Sequence, residues 1–313
     1  MRDAFMARLE RMAAADPRVF FITGDLGFGV VDRFAEKFPR QFLNAGVAEQ
    51  NMTGLATGLA LEGRVVYTYS IGNFPTLRCL EQVRNDAAYH DANVKIVCIG
   101  GGFSYGPLGM SHHAMEDLAI MRALSIPTVA PGCDWEAGEA TEALANFSGT
   151  CYLRLDKSSA GNTGRPRESF VVGKARVLRE GTDVALIATG GILGVALRAA
   201  DELSHMKIAC RVISMHTVHP LDADAVLSAA NETGGIVTIE EHTVRGGLGS
   251  AVAEVCMDRG VFPAAFERVA FREGLPSIVG SQSYLRQRYA MDEGAVVAAA
   301  EAVVRRAAGV LDR

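Results

Sequence analysis

The sequence predicts an α/β protein with two domains, each built on a mostly parallel β-sheet. Short runs that are apolar on both faces alternate with helical patterns, which is typical of a sheet covered by helices on both sides. The alternation occurs twice along the 313 residues, a length that suffices for two domains. Between the two series lies a polar, non-periodic stretch rich in Gly and Pro, KSSAGNTGRPRES at 157–169. We therefore expect a first domain over 1–160, a linker over 161–172 and a second domain over 173–313.

In the first domain, apolar runs predict strands and the intervening segments predict helices. The strands fall at 19–23, 64–70, 94–101, 128–132 and 151–156. The helices fall at about 49–62, 77–91, 116–124 and 135–146. The helix from 49 shows the clearest pattern, because the apolar residues at i, i+3, i+4 and i+7 form one buried face: Met52, Leu55, Ala56 and Leu59.

The second domain repeats the alternation. Strands are predicted within 183–191, 208–222, 235–243 and 265–271, and helices near 192–205, 223–231 and from about 246. Ligands in open parallel sheets bind beyond the carboxyl ends of the strands. The candidate functional loops are therefore 24–30, 69–76, 100–113 and 241–249.

Composition excludes several functional classes. The net charge of −5 and the pI of about 5.8 give no electrostatic reason to expect nucleic acid or an anionic membrane as a partner. No apolar run approaches the ~18 residues of a membrane span, and the first residues lack the apolar core of a signal peptide. The six cysteines are scattered without a C-x-x-C pair. A cytoplasmic protein without disulfides is the expectation.

Three glycine-rich segments raise alternatives that the residues alone leave open. GDLGFG, 24–29, lacks the full spacing of a phosphate-binding loop and is equally a tight turn capped by Asp25. GGLGSAVAE, 246–254, opens a helix whose N–H groups could hold an anion, or its glycines only permit close packing. The third segment, 99–120, ends in the pair His112-His113, which is either structural or functional. A zinc site is not expected, because no third ligand lies close in sequence.

Glu49 is the other candidate, because it lies among small residues at the start of an apolar helix. A carboxylate near a helix N-terminus is favourable. Burial among Ala, Gly and Val, however, disfavours its charged form. Glu49 either caps the helix or is kept dry to share a proton with a ligand.

Four segments together resemble one enzyme family. They are NAGVAEQNMTGLATGLALEG (44–63), YTYSIGNFPTLRCLEQVRND (67–86), GMSHHAMEDLAIMRALSIPTVAPG (109–132) and IEEHTVRGGLGSAVAE (239–254). In order and spacing they resemble the C-terminal half of transketolase, and also 1-deoxyxylulose-5-phosphate synthase and the beta subunit of pyruvate dehydrogenase. The resemblance covers nearly the whole chain. It implies a thiamine diphosphate enzyme, with a pyrimidine-binding domain up to about residue 160 and the family's small C-terminal domain after about residue 170.

The resemblance also implies site residues. Asn44–Glu49 match the family's N-x-G-[IV]-x-E motif, so Glu49 would share a proton with N1′ of the aminopyrimidine and so activate the thiazolium. The ring that stacks on the pyrimidine would be that of Phe74, with Tyr69 as the second choice. Asp25 and Leu26 match an Asp-Leu pair beside the thiazolium.

At the substrate end, His112 matches the active-site histidine of a T-H-Q segment, in which Thr becomes Ser111 and Gln becomes His113. It would stabilise or shuttle protons on substrate oxygens. Arg2 and Lys157 match arginines that hold the substrate phosphate. The residues expected to bind substrate are Arg2, His112, His113, Arg154 and Lys157.

Departures from the family pattern are as informative. The family's G-D-G…N motif, which binds the diphosphate and Mg²⁺, has no match here, so we expect no metal ligand in this chain. A whole transketolase is also about twice this length. The resemblance therefore implies a partner, an N-terminal subunit that supplies this motif and most of the Mg²⁺ site in an α2β2 complex. Leu108, Gly29 and the glycines at 100–102 replace family residues that contact the sugar or its phosphate, which leaves an unphosphorylated substrate open.

Three hypotheses follow. The first is the C-terminal component of a two-subunit transketolase, which transfers a two-carbon ketol unit from a ketose to an aldehyde. The alternative is a beta-type subunit of an enzyme that decarboxylates a 2-oxo acid. The third is a degenerate relative that only scaffolds its partner, against which the presence of Glu49 and His112 argues.

Overall fold

The structure, a computed structural model, describes residues 1–27, 29–164 and 168–309. Its strands are β1 Val19–Thr23, β2 Phe42–Asn44, β3 Val65–Ile71, β4 Val94–Ile99, β5 Thr128–Val129, β6 Cys151–Leu155, β7 Arg176–Arg179, β8 Val184–Thr189, β9 Cys210–Ser214, β10 Thr217–His219, β11 Ile236–Thr243 and β12 Phe266–Phe271. Its α-helices are α1 Arg2–Ala15, α2 Asp32–Lys37, α3 Glu49–Leu61, α4 Leu80–Gln82, α5 Asp117–Ala123, α6 Asp134–Ala145, α7 Leu193–His205, α8 Ala223–Glu232, α9 Leu248–Arg259, α10 Gln282–Arg288 and α11 Glu293–Ala307. No described helix is long and apolar enough to cross a membrane.

The described strands form two sheets, in the orders β10-β5-β6-β4-β3-β1-β2 and β12-β11-β8-β9-β7. All pairings are parallel except β10 with β5 and β7 with β9. Every residue of the central strands β4 and β8 is buried, because helices cover both faces. Successive residues of a strand therefore enter opposite apolar cores. Tyr67 and Tyr69 lie on one side of β3, and Val66 lies on the other.

Strand β10 comes from the sequence predicted as the second domain but pairs with β5 of the first sheet. The pairing is extended where Ala130 N donates to His216 O at 2.7 Å. A second tie is Arg176, which pairs with Glu136 and Glu168. The predicted linker at 161–172 runs beside these contacts and includes 165–167, which lie outside the described residues, as do Phe28 and 310–313. The domain boundaries themselves stay a prediction.

The predicted helix at 77–91 is wrong in detail. The segment forms a short 3₁₀ turn at Leu77–Cys79, then α4, then a π-helical stretch at Val83–Ala88. The sequence pattern also missed α1, although its residues are amphipathic. Phe5 and Leu9 of α1 are buried, and Arg8 pairs with Glu139 and Glu142 of α6. These contacts bring Arg2, at the start of α1, to the carboxyl edge of the first sheet, where it lies beside Lys157 and Ile99.

Candidate active site

The candidate residues lie at the carboxyl edge of the first sheet. Strands β6, β4, β3 and β1 are neighbours and parallel, so the segments that follow them meet at one edge. Asp25 follows β1, Phe74 follows β3, the glycine-rich loop with His112 follows β4, and Lys157 follows β6. The sheet topology thus brings together segments that are far apart in sequence.

Glu49 is the first residue of α3, and its side chain is only 3% exposed. Its Oε2 accepts from Nη1 of Arg78 at 2.8 Å, and the Arg78 side chain is 46% exposed. The N-cap residue Ala48 makes no side-chain cap. The carboxylate is therefore held by a cation at the rim of the site. Sequence reasoning missed Arg78, because its contact with Glu49 joins residues that no local pattern relates.

Phe74 links Glu49's partner to His112. The Arg78 guanidinium carbon lies 4.6 Å from the centroid of the half-buried Phe74 ring. The ring of His112 meets the same phenyl ring edge-on, with centroids 5.2 Å apart and planes at 74°. The buried carboxylate, the guanidinium, the phenyl ring and the imidazole therefore form one continuous line of contacts.

Tyr69, the second choice for stacking on the cofactor, lies in the apolar core in this structure. Its ring is 1% exposed and stacks on Phe5, with centroids 6.0 Å apart and planes at 11°. Burial raises the pKa of Tyr69 well above its usual range. The alternation along β3 points this side chain into the core, so only Phe74 of the two has an accessible face.

Asn44 organises the turn after β1. Its Oδ1 accepts from the backbone N–H groups of Asp25 and Gly46, each at 3.0 Å, and its Nδ2 donates to Asp25 Oδ1 at 2.9 Å. Asp25 has φ of +56°, a conformation that is uncommon outside glycine and recurs at functional sites. Thr23 Oγ1 donates to Leu26 O at 3.0 Å. The asparagine of the predicted motif thus fixes the Asp25-Leu26 turn beside Glu49.

The paired histidines have different environments. His112 is half-buried, and Ser111 Oγ lies 2.9 Å from its Nδ1. Burial, and next the nearby His113, lower the pKa of His112 below 6.5, so its imidazole is neutral at pH 7. His113 is 2% exposed, its Nε2 lies 3.0 Å from Gly106 O, and its ring packs on Phe103. In this structure the ring of His113 supports the loop from inside, and its predicted contact with substrate stays a prediction.

Arg154 also has a structural place. It is 2% exposed, lies 3.5 Å from Asp117 and 3.4 Å from Asp156, and donates to Glu241 O at 2.7 Å. The two carboxylates balance the buried charge. In this structure its side chain is enclosed and already paired, and the prediction that Arg154 binds substrate stays a prediction.

Lys157 and Arg2 remain at the surface. The Lys157 ammonium lies 3.6 Å from the Tyr105 ring centroid, and Arg2 is exposed. Burial, and next Arg2, lower the pKa of Lys157. Both cations and Tyr105 line a cavity of about 260 Å³, and the His112 ring lies 6.2 Å from that of Tyr105. An anion in this cavity would therefore lie close to the imidazole.

The glycine-rich start of α9 holds no external anion. Glu240 is fully buried, and its carboxylate accepts from the N–H groups of Leu248 at 2.7 Å and Gly249 at 2.8 Å. A Cβ on Gly247 would lie 2.1 Å from the Glu240 oxygen. The glycines thus permit close packing. The anion that the helix amides hold is the carboxylate of Glu240, a residue of the same chain.

Comparisons with known proteins agree with this geometry. Residues 1–162 match the pyrimidine binding domain of transketolase, and residues 173–293 match the transketolase C-terminal domain. The chain belongs to the transketolase family. The expected fold, two α/β domains with mainly parallel sheets, is thereby confirmed, and so is the expected thiamine diphosphate-dependent family.

Several similar proteins are subunits of transketolases that are divided between separate chains. The chain is 36% identical to a 6-deoxy-6-sulfo-D-fructose transketolase subunit of Clostridium sp. (strain MSTE9), over 98% of this chain and 95% of that one. It is 33% identical to an apulose-4-phosphate transketolase subunit of Actinobacillus succinogenes, over 84% and 85%. A solved split-gene transketolase, described as an inactive beta4 tetramer, shares 33% identity with a TM-score of 0.86, over 97% of each chain.

The first hypothesis is therefore confirmed: the chain is the C-terminal component of a split transketolase, a transferase. The alternative has weaker support, because the chain spans only 47% of the matching 1-deoxy-D-xylulose-5-phosphate synthases of Desulfitobacterium hafniense.

Proposed function

We propose that this transketolase component transfers a two-carbon ketol unit from a ketose with a terminal anion to an aldehyde, in a site completed by a partner subunit. One observation carries the proposal. The contacts from the buried Glu49 through Arg78 and Phe74 reach His112 along the carboxyl edge of the first sheet. These side chains combine a dry carboxylate, an aromatic face and a neutral imidazole.

The residues present fit the aminopyrimidine end of thiamine diphosphate. Gly46 has φ of +75°, which favours glycine, and Gly24 lies against Glu49, since a Cβ there would contact Glu49 Cγ at 3.5 Å. The donor set fits the pyrimidine end because a carboxylate and an aromatic face lie at the same edge. When bound, the cofactor supplies a nucleophilic carbon and accepts the electrons of the broken carbon–carbon bond. Phe74 would hold the pyrimidine face, and Asp25 and Leu26 would lie beside the thiazolium.

Two side chains would handle protons. Glu49 would share a proton with the pyrimidine nitrogen, because its carboxylate lies at the edge of the sheet where Arg78 holds it in place. His112 would accept a proton from a substrate hydroxyl and return it, since its lowered pKa keeps the imidazole neutral at pH 7. In our proposal these two are the catalytic residues.

The cavity between Arg2 and Lys157 would take the terminal anion of the sugar. The cavity is lined by the cations Arg2 and Lys157 and by the carboxylates of Asp3 and Asp156, and Arg2 pairs with Asp3 at 3.1 Å. A phosphate or sulfonate would bind to Lys157 and compete with Asp3 for Arg2. The relatives' names point the same way, because one acts on a sulfonated fructose and another on a phosphorylated apulose.

We propose that an N-terminal subunit supplies the G-D-G…N motif, the diphosphate site and the Mg²⁺ ligands in an α2β2 complex. The absence of that motif from the sequence supports this, and the related solved beta chain is described as inactive as a beta4 tetramer. Exposed apolar side chains near the site offer a docking surface: Val47, Leu55, Leu77, Met110 and Leu275. Nucleic acid and membranes are not proposed as partners.

The state of the six cysteines indicates in which cellular compartment the protein works. All are free and buried. Thiols stay reduced in the cytoplasm, where disulfides are rare. This supports the cytoplasmic location that we propose.

The test is reconstitution with the N-terminal subunit, thiamine diphosphate and Mg²⁺, with the chain alone as control. The donors are fructose 6-phosphate, 6-deoxy-6-sulfofructose, fructose and pyruvate, each with an aldehyde acceptor. We expect ketol transfer from a donor with a terminal anion, and only in the mixture. Release of CO₂ from pyruvate would support the decarboxylating alternative instead. No thiamine-dependent turnover with any donor would overturn the proposal in favour of a scaffold.

A further inference from the structure

The loop that carries His112 is anchored from both sheets. Asn73, which follows β3 of the first sheet, donates from Nδ2 to Ser111 O at 3.3 Å and to His113 O at 3.0 Å, whereas the second sheet holds the start of the loop. We define the His112 loop as residues 102–114, which an antiparallel bridge closes: Gly102 N donates to Ala114 O at 2.8 Å, and Ala114 N donates to Gly102 O at 3.1 Å. Inside the loop, Phe103 N donates to a carboxylate oxygen of Glu241, at the carboxyl end of β11. We propose that Glu241 is a positioning residue, through which the second domain sets the place of His112.

The carboxylate of Glu241 is the centre of a buried hydrogen-bond network. Besides Phe103 N, it accepts from Gln282 Nε2 at 2.9 Å and from Arg286 Nε. Gln282 Nε2 also lies 3.4 Å from Ser104 Oγ, on the next residue of the loop. Because Glu241 is buried, its charge requires such donors, and an amide in its place has one acceptor oxygen instead of two. The network therefore holds the start of the loop in one place.

Packing carries this constraint to His112. The Phe103 ring stacks on Tyr289, with centroids 5.5 Å apart, and meets His113 edge-on at 5.1 Å. The His113 ring in turn lies against Gly106 O, which also accepts from Gly280 N at 3.4 Å. A shift of Phe103 would thus move His113 and, through the backbone, the adjacent His112.

The triple glycine at 100–102 leaves space for the side chains of Glu241 and Arg154. Gly102 has φ of +58°, and a Cβ there would lie 2.5 Å from Glu241 Oε1. A Cβ on Gly101 would lie 1.6 Å from Arg154 Nε. Only glycine leaves room for the carboxylate and the guanidinium to approach this backbone. The segment that replaces sugar-binding residues of the family therefore serves as the receiving surface for Glu241.

The test compares Glu241→Gln with Glu136→Gln. Glu136 is the matched control, because it is also a buried glutamate that joins the two halves of the chain, through Arg176 and Ser214, without touching the loop. Amide hydrogen exchange of the full chain reports the loop directly. Loss of a hydrogen bond to a charged group should speed exchange across 102–114 roughly tenfold to hundredfold in E241Q. The same peptides should stay within about twofold of wild type in E136Q.

A second readout is the kinetics of the reconstituted complex, and this arm rests on the proposed function. We expect kcat of E241Q to fall by about tenfold. KM for the anionic donor should rise by less than that, because Arg2 and Lys157 lie outside the loop and only Tyr105 of the loop lines their cavity. Unchanged exchange across 102–114, equal loosening in E136Q, or unchanged kcat would each overturn the proposal. If the wild-type complex has no activity, the proposed function fails, whereas the exchange comparison still decides the anchoring.

Gln282→Ala keeps the proposal testable if E241Q does not fold. Gln282 is only half-buried, and its loss leaves Arg286 in place on Glu241. We expect faster exchange across 102–114 in Q282A, by a few-fold, since one neutral donor contributes about 1 kcal/mol. Wild-type exchange rates in Q282A would contradict the role of the network.

Discussion

The carboxyl edges of the two sheets both carry buried glutamates, but these glutamates differ in how many hydrogen-bond donors of the chain they bind. At the first sheet, Glu49 has one observed side-chain partner, the half-exposed Arg78, and beside it lie the accessible faces of Phe74 and His112. At the second sheet, Glu240 binds two helix amides, and Glu241 binds three donors. The first edge keeps its groups available for a ligand, whereas the second uses its groups to hold the protein together.

This difference shows that the family's fold does not by itself make an edge catalytic. Both edges have parallel strands, a glycine-rich segment and buried carboxylates. What differs is whether the hydrogen-bonding capacity is consumed internally. We therefore expect substitutions at the first edge to remove turnover with little loss of stability. Substitution of Glu240 at the second edge should do the reverse, and Glu241 should affect turnover only through the His112 loop that it holds.

The largest effect is expected for Glu49→Gln in the reconstituted complex. Loss of the carboxylate should lower kcat by about 10²–10⁴-fold, the usual contribution of a proton-transferring group. The melting temperature should stay close to wild type, and the cofactor should still bind. Glu62→Gln, at the exposed C-terminal end of the same helix, is the matched control and should keep full activity. Wild-type turnover in E49Q would contradict the claim that the carboxylate at the first edge is catalytic whereas those at the second edge are structural.

His112→Asn should lower kcat by about 10²-fold, because an amide cannot exchange protons with the substrate. The pKa of His112 is lowered, so the neutral form persists as pH falls to 6.5, and wild-type kcat should decline only below that pH. The pH profile of kcat measures this decline on the acidic side, and the profile of the variant should lack it. His90→Asn, at an exposed site, is the control. A variant that keeps the acidic limb would exclude His112 as its origin.

Glu240→Gln tests the second edge. The amide replaces one of the two acceptors at the start of α9, so we expect unfolding free energy to fall by about 2 kcal/mol. Chemical denaturation measures the loss, and the folded complex should keep its kcat. Glu254→Gln on the same helix removes an exposed ion pair to Arg122 and should cost at most about 1 kcal/mol. A large loss of kcat with unchanged stability in E240Q would contradict the structural role.

The smallest effect is expected for Lys157→Met. Removing one of the two cations of the cavity should raise KM for an anionic donor by about tenfold, with kcat nearly unchanged. The increase should shrink at high ionic strength, because salt screens an exposed cation. Lys174→Met, at an exposed position far along the chain, should leave KM unchanged. The same KM increase with an uncharged ketose would argue against an anion site.

Much of this organisation was readable from the sequence. Apolar runs predicted β1, β3, β4 and β8 because these strands are largely buried on both faces. The strand-end rule selected the loops that carry Asp25, Phe74 and His112. Strand β10 was not predicted as part of the first sheet, because its pairing with β5 depends on tertiary packing.

The burial of three predicted site residues could not be read from the sequence. Tyr69 and His113 lie next to accessible residues in sequence, but the strand alternation and the loop packing point their rings inward. Arg154 was expected to bind substrate, yet Asp117, distant in sequence, helps to pair it in the core. Arg78 and Glu241 were missed for the same reason, since their contacts join residues that no local pattern relates.

The most direct test of the catalytic role of the first edge is the exchange of the thiazolium C2 proton of thiamine diphosphate with deuterium. It is measured in the assembled complex by rapid quenching and proton NMR, with wild type, E49Q and the control E62Q. We expect the wild type and E62Q to exchange at least about 100-fold faster than E49Q, with the cofactor bound in all three. Equal exchange in E49Q, with the cofactor bound, would contradict the assignment of Glu49 as the proton-sharing carboxylate.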